Sequence, residues 1–524
     1  MDRGIGNWAR ERARLSGDQI ALSTKNVAIS YTELDTNSNR LATSLVSYGV
    51  RRGDRVALFL ENSPQWIEIL FAVSKLGGVV VPLEASLRVD DLAFVIEDSS
   101  PRVLFTSESG YETVQKALKS VSCEMDLIVT TNMARSPVAD YSALLARGKP
   151  RFESNHIDDT ETAMLAYTAS QALRPQAVQL SHRNLESHTV SMIATLDELS
   201  SNDDTLTAEP LSSVLGLTTF VLPLLYLGGT VHIEHDLGAF SIADAINRTQ
   251  PTALSMSYRN WQEIARRRAL VEPVSLRYAL VTEGVLGAEE SDLLYSMGID
   301  PRRTYGLSEA SGIVTVDNPW SCSKDLTSRG KAIFGTEIHG SFDSKQSYNK
   351  GGRVSEISIA SRSVTKGYWL LPYETSKVIG DGVLRTGEIG TVDALGNLHL
   401  ESTSERWQKI GGRLSHKELE VGLASEEFIG EVVAIDLSQM NGTDAFLIAV
   451  TPSDHSSFSE TELRRRLKDQ WSLEGVNIEI MVLDEMPRSA SGKLLRSQIA
   501  RMFFKYTGTH MRPEEGSNTV LHRE

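Results

Sequence analysis

YTASQALRPQAVQLSHRN, residues Tyr167 to Asn184, reads as strand, tight turn, strand and the first turn of a helix. The apolar run Met164–Tyr167 leads in, Arg174-Pro175 marks the bend, and Val178 and Leu180 alternate on the way out. Ser181 is a good N-cap for the helix SHRNLESH, with Glu186 an early acid. Upstream, residues 51–87 alternate strand, helix and strand. Val56–Leu60 is apolar, Pro64 opens a helix, Gly77-Gly78 closes it, and Val79–Pro82 resumes extended chain. This βαβ texture, which continues at Pro101–Ser107 and at MDLIVTT, calls for a parallel sheet with helices on its faces. Ile29 to Leu45 reads as a turn into an amphipathic helix with Leu34, Leu41 and Leu45 on one face.

With 524 residues the chain exceeds one ordinary domain and has ample length for a large core. Its 41% hydrophobic and 23% charged residues fit a globular protein rather than a disordered one. A net charge of −15 argues against nucleic acid or an anionic membrane surface as partner. Cys123 and Cys322 make neither a disulfide framework nor a metal spacing, so a reducing cytoplasm is the expected location. The start, MDRGIGNWARERAR, is basic with no apolar core behind it and reads as no signal peptide. Leu211 to Ile233 carries no charged residue and approaches spanning length. Gly216, Pro223, Gly228 and Gly229 interrupt it, so a buried helix followed by a buried strand is expected instead of a membrane span. The cluster His232, Glu234, His235 and Asp236 lies at strand spacing, with His235 on the face opposite His232 and Glu234, which disfavours a metal site.

The opening stretch resembles the phosphate-loop motif YTSGTTGRPKGVxLSHxN of the adenylate-forming superfamily, which includes acyl-CoA synthetases, adenylation domains and luciferases. Tyr167, Thr168, Arg174, Pro175, Val178, Leu180, Ser181, His182 and Asn184 keep its frame. Further motifs follow in the superfamily's order. LRYALVTEGVL (Leu276 to Leu286) stands for LRxxxSGGAPL, and TYGLSEASG (Thr304 to Gly312) for YGxTE. Gly367-Tyr368-Trp369, then Thr386-Gly387-Glu388 with Asp393, and finally PRSASGKLLR (Pro487 to Arg496) complete the series. The resemblance implies an α/β fold in three parts. Residues 1–404 would form a large domain of βαβ-type sheets plus a β-rich subdomain, 405–505 a small mobile α+β lid, and 506–524 a flexible tail.

It also implies an acid–thiol ligase, which activates a small carboxylic acid as an acyl-adenylate and passes it to CoA or to the phosphopantetheine of a carrier protein. ATP/AMP and Mg²⁺ would be its cofactors. By resemblance Lys493 bridges carboxylate and α-phosphate, Tyr305 packs on the adenine with Gly306 beside it in the cofactor-binding set, the Ser308 hydroxyl meets the α-phosphate and Glu309 helps hold Mg²⁺. Thr168, Ser170 and Gln176 fall in the phosphate loop, Glu388 at the ribose, and Lys409, Gly411 and Gly412 along the pantetheine path. Ser212, Ser213, Gly216, Thr282, Glu283 and Gly284 would wall the acyl pocket. Glu283 replaces a small residue and either pairs with a substrate amine or faces water.

The loop departs from the motif. SGTTG has become Ala169–Leu173, and the lysine has become Gln176. Each lost charge-assisted contact costs about 1.5–3 kcal/mol, so two or three weaken ATP by roughly a thousandfold or more. Three readings therefore stand: an ATP-dependent ligase, an ATP-independent acyl-transfer enzyme on the same fold, and a non-catalytic binding protein. The absence of GxGxxG after a first strand and of GxxxxGK[ST] disfavours a dehydrogenase or kinase.

Overall fold

The computed structural model describes residues 4–123, 125–131, 139–153, 156–168, 175–266, 276–284, 286–317, 328–340, 347–349, 352–400, 416–424, 426, 428–437, 445–453, 458–471, 473, 476–488 and 494–507. One seven-stranded sheet runs in the order Ala139–Asp140, Leu127–Thr130, Val103–Thr106, Arg55–Phe59, Val79–Leu83, Thr162–Thr168, Gln176–Ser181. Its neighbours are parallel until the last pair, the antiparallel hairpin of the opening stretch. Val79–Leu83 is buried along its whole length, as a parallel strand covered on both faces must be. The helix Pro64–Leu76 is buried on every side from Trp66 onward, which marks it as a core helix rather than an amphipathic one. Gly77 ends it at φ 71°, a left-handed conformation that glycine adopts without steric cost.

The helix expected from Ile29 begins at Tyr31, where Ser30 and Glu33 form a capping box. Leu34, Leu41 and Leu45 are all fully buried.

A second, fifteen-stranded sheet contains a parallel run in the order Ile20–Ser23, Thr230–Ile233, Asp204–Thr207, Ala253–Met256, Tyr278–Val281, Pro301–Leu307. From Gly312–Val316 onward pairing turns antiparallel. The β-rich texture expected from Arg353 therefore starts earlier, at the first short connection that needs no crossover helix. Residues 211–233 form the consecutive helical turns Val214–Gly216, Leu217–Val221 and Leu222–Leu227, then the strand Thr230–Ile233. Among the described residues no helix is long and apolar enough to cross a membrane. Nor does any group of three or more His, Cys, Asp or Glu there suit a metal ion. His232 instead pairs with Asp204 at 2.8 Å, and Glu234 with Arg248 at 3.1 Å.

The chain's last part builds a separate three-stranded sheet, Ile429–Asp436, Phe446–Pro452 and Ile478–Val482. One face packs Val433 and Leu447 against Ile499 and Phe503, and the other packs Ile448 and Leu423 against Leu463 and Leu467. Two cores of its own make this an independent α+β layer structure. The final helix, Arg496–Thr507, extends two residues into the segment expected to be a tail from 506, because the stripe Ile499, Ala500, Phe503, Phe504 keeps it docked. The expected boundary at 404/405 lies outside the described residues.

Candidate active site

The parallel strands of both sheets point their carboxyl ends at one cleft of about 1190 Å³. Val79–Leu83 is followed at the rim by Glu84, Ser86 and Arg88, and Thr162–Thr168 ends on Thr168. Tyr278–Val281 delivers Thr282 and Glu283, and Pro301–Leu307 delivers Ser308 and Glu309. Ligands bind at this edge of an open α/β sheet because the loops there are free to vary above a rigid frame.

On one side the cleft gathers Thr168, Gln176, Tyr305, Gly306, Ser308, Glu309 and Glu388, widely separated in sequence. The hairpin explains part of this convergence. Its return strand Gln176–Ser181 pairs with the segment around Gly367: Gln179 N–H donates to the Gly367 carbonyl at 2.9 Å, and Trp369 N–H to that of Ala177 at 2.8 Å. Tyr368, held between them, donates its hydroxyl to Glu309 Oε1 at 2.9 Å. Thr365 N–H meanwhile donates to the Glu309 backbone carbonyl at 2.7 Å. Glu309 is thus fixed from two directions, with Oε2 left for the cleft.

Tyr305 is 9% exposed, and burial followed by the adjacent Glu388 carboxylate raises its hydroxyl well above the usual tyrosine range. Its hydroxyl donates to Glu388, whose own N–H donates to Thr386 Oγ1 at 3.1 Å. Arg329 lies near this carboxylate, its guanidinium lowered by burial but sustained by the Glu388 charge. Arg329 is a cleft residue that motif reading did not single out, and Tyr368, matched there only as part of a motif, was given no role.

The other side of the cleft is walled by Ser212, Ser213, Thr282, Glu283 and Gly284. Gly216, expected on this wall, stands behind it: a Cβ there would meet the Pro210 carbonyl oxygen at 2.3 Å. Glu283 is half-buried and lines the cleft. Its carbonyl accepts from Tyr258 N–H at 2.9 Å. Gly284 follows at φ 78°, where a Cβ would strike the Tyr258 ring at 2.2 Å, so only glycine lets ring and strand end pack together.

Behind this wall stands Glu209, which sequence reading missed. It is 4% exposed, and Asn62 grips the backbone on both sides of Pro210, donating to the Glu209 carbonyl at 2.8 Å and accepting from Leu211 N–H at 2.7 Å. The Thr282 hydroxyl donates to Glu209 Oε1, while Oε2 is buried with no hydrogen-bond partner. Burial first, and the Glu283 charge second, push the Glu209 carboxyl up to about 8.

The small α+β unit closes the cleft with Arg488, Arg496, Gln498 and Arg501. Glu431 accepts from Arg259 of the large part at 2.9 Å and from Arg488 of its own unit at 2.6 Å, and Arg501 pairs with Asp91. Ser170, Lys409, Gly411, Gly412 and Lys493 lie outside the described residues.

The chain matches the family described as AMP-binding enzyme over residues 9–369. A feruloyl-CoA synthase of an Amycolatopsis species is 28% identical over 506 residues, covering 96% of this chain and 99% of that protein. A 2-succinylbenzoate–CoA ligase of Bacillus subtilis is 27% identical over 501 residues, covering 94% and 97% respectively. The fold is similar to that of an anthranilate CoA ligase solved in complex with anthranoyl-AMP, with a TM-score of 0.78 at 18% identity, covering 97% of this chain and 98% of that one.

Proposed function

Because the chain belongs to the family of AMP-binding enzymes, we propose that it is an AMP-forming acid–thiol ligase. A small carboxylic acid and ATP give an acyl-adenylate and pyrophosphate, and a thiol then displaces AMP. CoA is the thiol the full-length relatives favour. The observation that carries this reading is the single cleft that brings Tyr305, Ser308, Glu309 and Glu388 beside the hairpin ends Thr168 and Gln176.

The residues fit AMP. Tyr305 offers an aromatic face, Glu388 two acceptor oxygens for a ribose diol, and Ser308 a hydroxyl donor for a phosphate oxygen. They also fit Mg²⁺, since Glu309 presents a hard carboxylate oxygen at the same place, held by Tyr368. Bound there, the ion would neutralise phosphate charge as pyrophosphate departs. The protein's own part is positional: Tyr368 orients Glu309, Tyr305 orients Glu388, and the small unit excludes water from the closed cleft. Domains divided near 404/405, Lys493 as the cation on the reacting carboxylate, and Lys409, Gly411 and Gly412 on the thiol path complete the proposal.

Gln176 favours a second reading, transfer of an acyl group already activated, because no lysine stands at that hairpin end to offset phosphate charge. The test is pyrophosphate release with Mg·ATP across a panel of carboxylic acids, beside Gln176→Lys, Glu309→Gln and Lys493→Ala. Release that disappears in Lys493→Ala supports the ligase. No release with any acid, in the wild type or in Gln176→Lys, sinks it.

A further inference from the structure

Residues 362–369, the strap that follows the strand Gly352–Ser361, run between the hairpin and the turn Ser308–Ala310 and are bonded to both. Toward the hairpin, Asn184 Nδ2 donates to the Arg362 and Val364 carbonyls, each at 2.8 Å, and the Gln179 side-chain amide donates to the Tyr368 carbonyl at 3.2 Å. Toward the turn, Ser311 Oγ donates to the Ser363 carbonyl at 2.6 Å. Beside it stand the Thr365 N–H bond to the Glu309 carbonyl and the Tyr368 hydroxyl bond to the Glu309 carboxylate.

Thr365, 3% exposed, is where the two sets of bonds meet. Gln179 N–H donates to the Gly367 carbonyl, and in a regular antiparallel pair the Gly367 N–H would return a bond to the Gln179 carbonyl. Here a hydroxyl is inserted into that return bond. Gly367 N–H donates to Thr365 Oγ1 at 3.1 Å. Thr365 Oγ1 has one proton to give, and the Gln179 carbonyl at 2.5 Å is a nearer acceptor than the Gly367 carbonyl at 3.2 Å. The backbone of Thr365 thus holds Glu309 while its side chain holds the hairpin. Valine has the same shape, but it would leave the Gly367 N–H and the Gln179 carbonyl facing a methyl group.

The hairpin end carries Gln176 where a lysine would offset phosphate charge, which puts more weight on the placement of Glu309. We propose that Thr365 and Gln179 are positioning residues: through the strap they fix Tyr368 and Glu309 relative to the hairpin end, and so set the magnesium requirement of the cleft without touching its ligands. The consequence for magnesium rests on the ligase reading; the mechanical joint between hairpin, strap and Glu309 does not.

Two measurements compare Thr365→Val, Thr365→Ser and Gln179→Met with wild type. Hydrogen exchange of the full chain without nucleotide reads the joint itself. In Thr365→Val the segments 305–311 and 365–369 should both exchange at least tenfold faster, while the strand Val103–Thr106 is unchanged and Thr365→Ser stays within twofold of wild type. Gln179→Met, which removes only the side-chain bond to Tyr368, should quicken both segments at least threefold. Magnesium titration of pyrophosphate release reads the consequence. Half-saturating Mg²⁺ should rise at least fivefold in Thr365→Val and in Gln179→Met, and return to the wild-type value in Thr365→Ser. A purely structural loss would lower the rate equally at every magnesium concentration.

The inference is overturned by exchange that quickens at 365–369 but not at 305–311, by an unchanged magnesium requirement in both variants, or by Thr365→Ser behaving as Thr365→Val. Should Thr365→Val fail to fold, Gln179→Met decides by the same two readouts. No pyrophosphate release from wild type with any acid defeats the ligase reading alone, and the exchange comparison then decides the joint by itself.

Discussion

Glu209→Gln should make the protein more stable than wild type at alkaline pH and nearly equal to it at acidic pH. Burial first, and the Glu283 charge second, push the folded Glu209 carboxyl from its ordinary 4.5 up to about 8. Between those values the folded chain holds a proton that the unfolded chain has lost, so stability falls as pH rises through the window. The full loss above pH 8 is on the order of 5 kcal/mol, of which about 3 kcal/mol falls between pH 5.5 and 8.5. Glutamine keeps the shape and still accepts from the Thr282 hydroxyl, but it cannot ionise. Urea unfolding of both proteins at half-unit pH steps measures the difference directly, because every other titrating group is shared. The gap should open in favour of the variant from about pH 5 and level off above about pH 8. Parallel curves would refute the reasoning, since they would mean that Glu209 ionises as readily folded as unfolded. Glu283→Gln supplies an internal check: it removes the electrostatic part and leaves the larger desolvation part, so the window should narrow without vanishing.

Glu309→Gln retains the hydrogen bond from Tyr368 but removes the charge that suits Mg²⁺. Magnesium-dependent pyrophosphate release should fall at least a hundredfold, against about tenfold for Tyr368→Phe, which loses one hydrogen bond of about 1–1.5 kcal/mol. Ser181→Ala removes the N-cap that accepts from Asn184 N–H at 3.1 Å, and should lower stability to urea by about 1 kcal/mol without altering the cleft. Glu431→Ala frees Arg259 and Arg488 from a shared carboxylate that is 39% exposed, so the loss is about 1 kcal/mol or less for each pair. Small-angle scattering should find the variant at low salt as expanded as wild type at 1 M salt, and an unchanged radius in both would count against a latch at this position.

What could be read from the sequence was what short-range chemistry determines. Pro64 and Gly77 bracket a helix because one fits its first turn and the other its left-handed exit, and both signals are local. Tyr305, Ser308 and Glu309 were legible because one strand end carries all three. Gly216 was misplaced for the same reason: its neighbours line the wall, but the helical turn of Val214–Gly216 rotates it behind them. Glu209 was illegible because its meaning comes from a partner 73 positions away, Thr282, brought close by the order of strands in the sheet. Tyr368 is a similar case, since its tie to Glu309 exists only because the return strand of the hairpin pairs with Gly367–Trp369. Motifs therefore located the part of the cleft that suits a nucleotide, where one backbone element carries several ligand-facing groups. The opposite wall is assembled from strands that meet only in the folded sheet: Glu283 stood out against its motif, whereas Glu209, joined to it through Thr282, had no local signature to read.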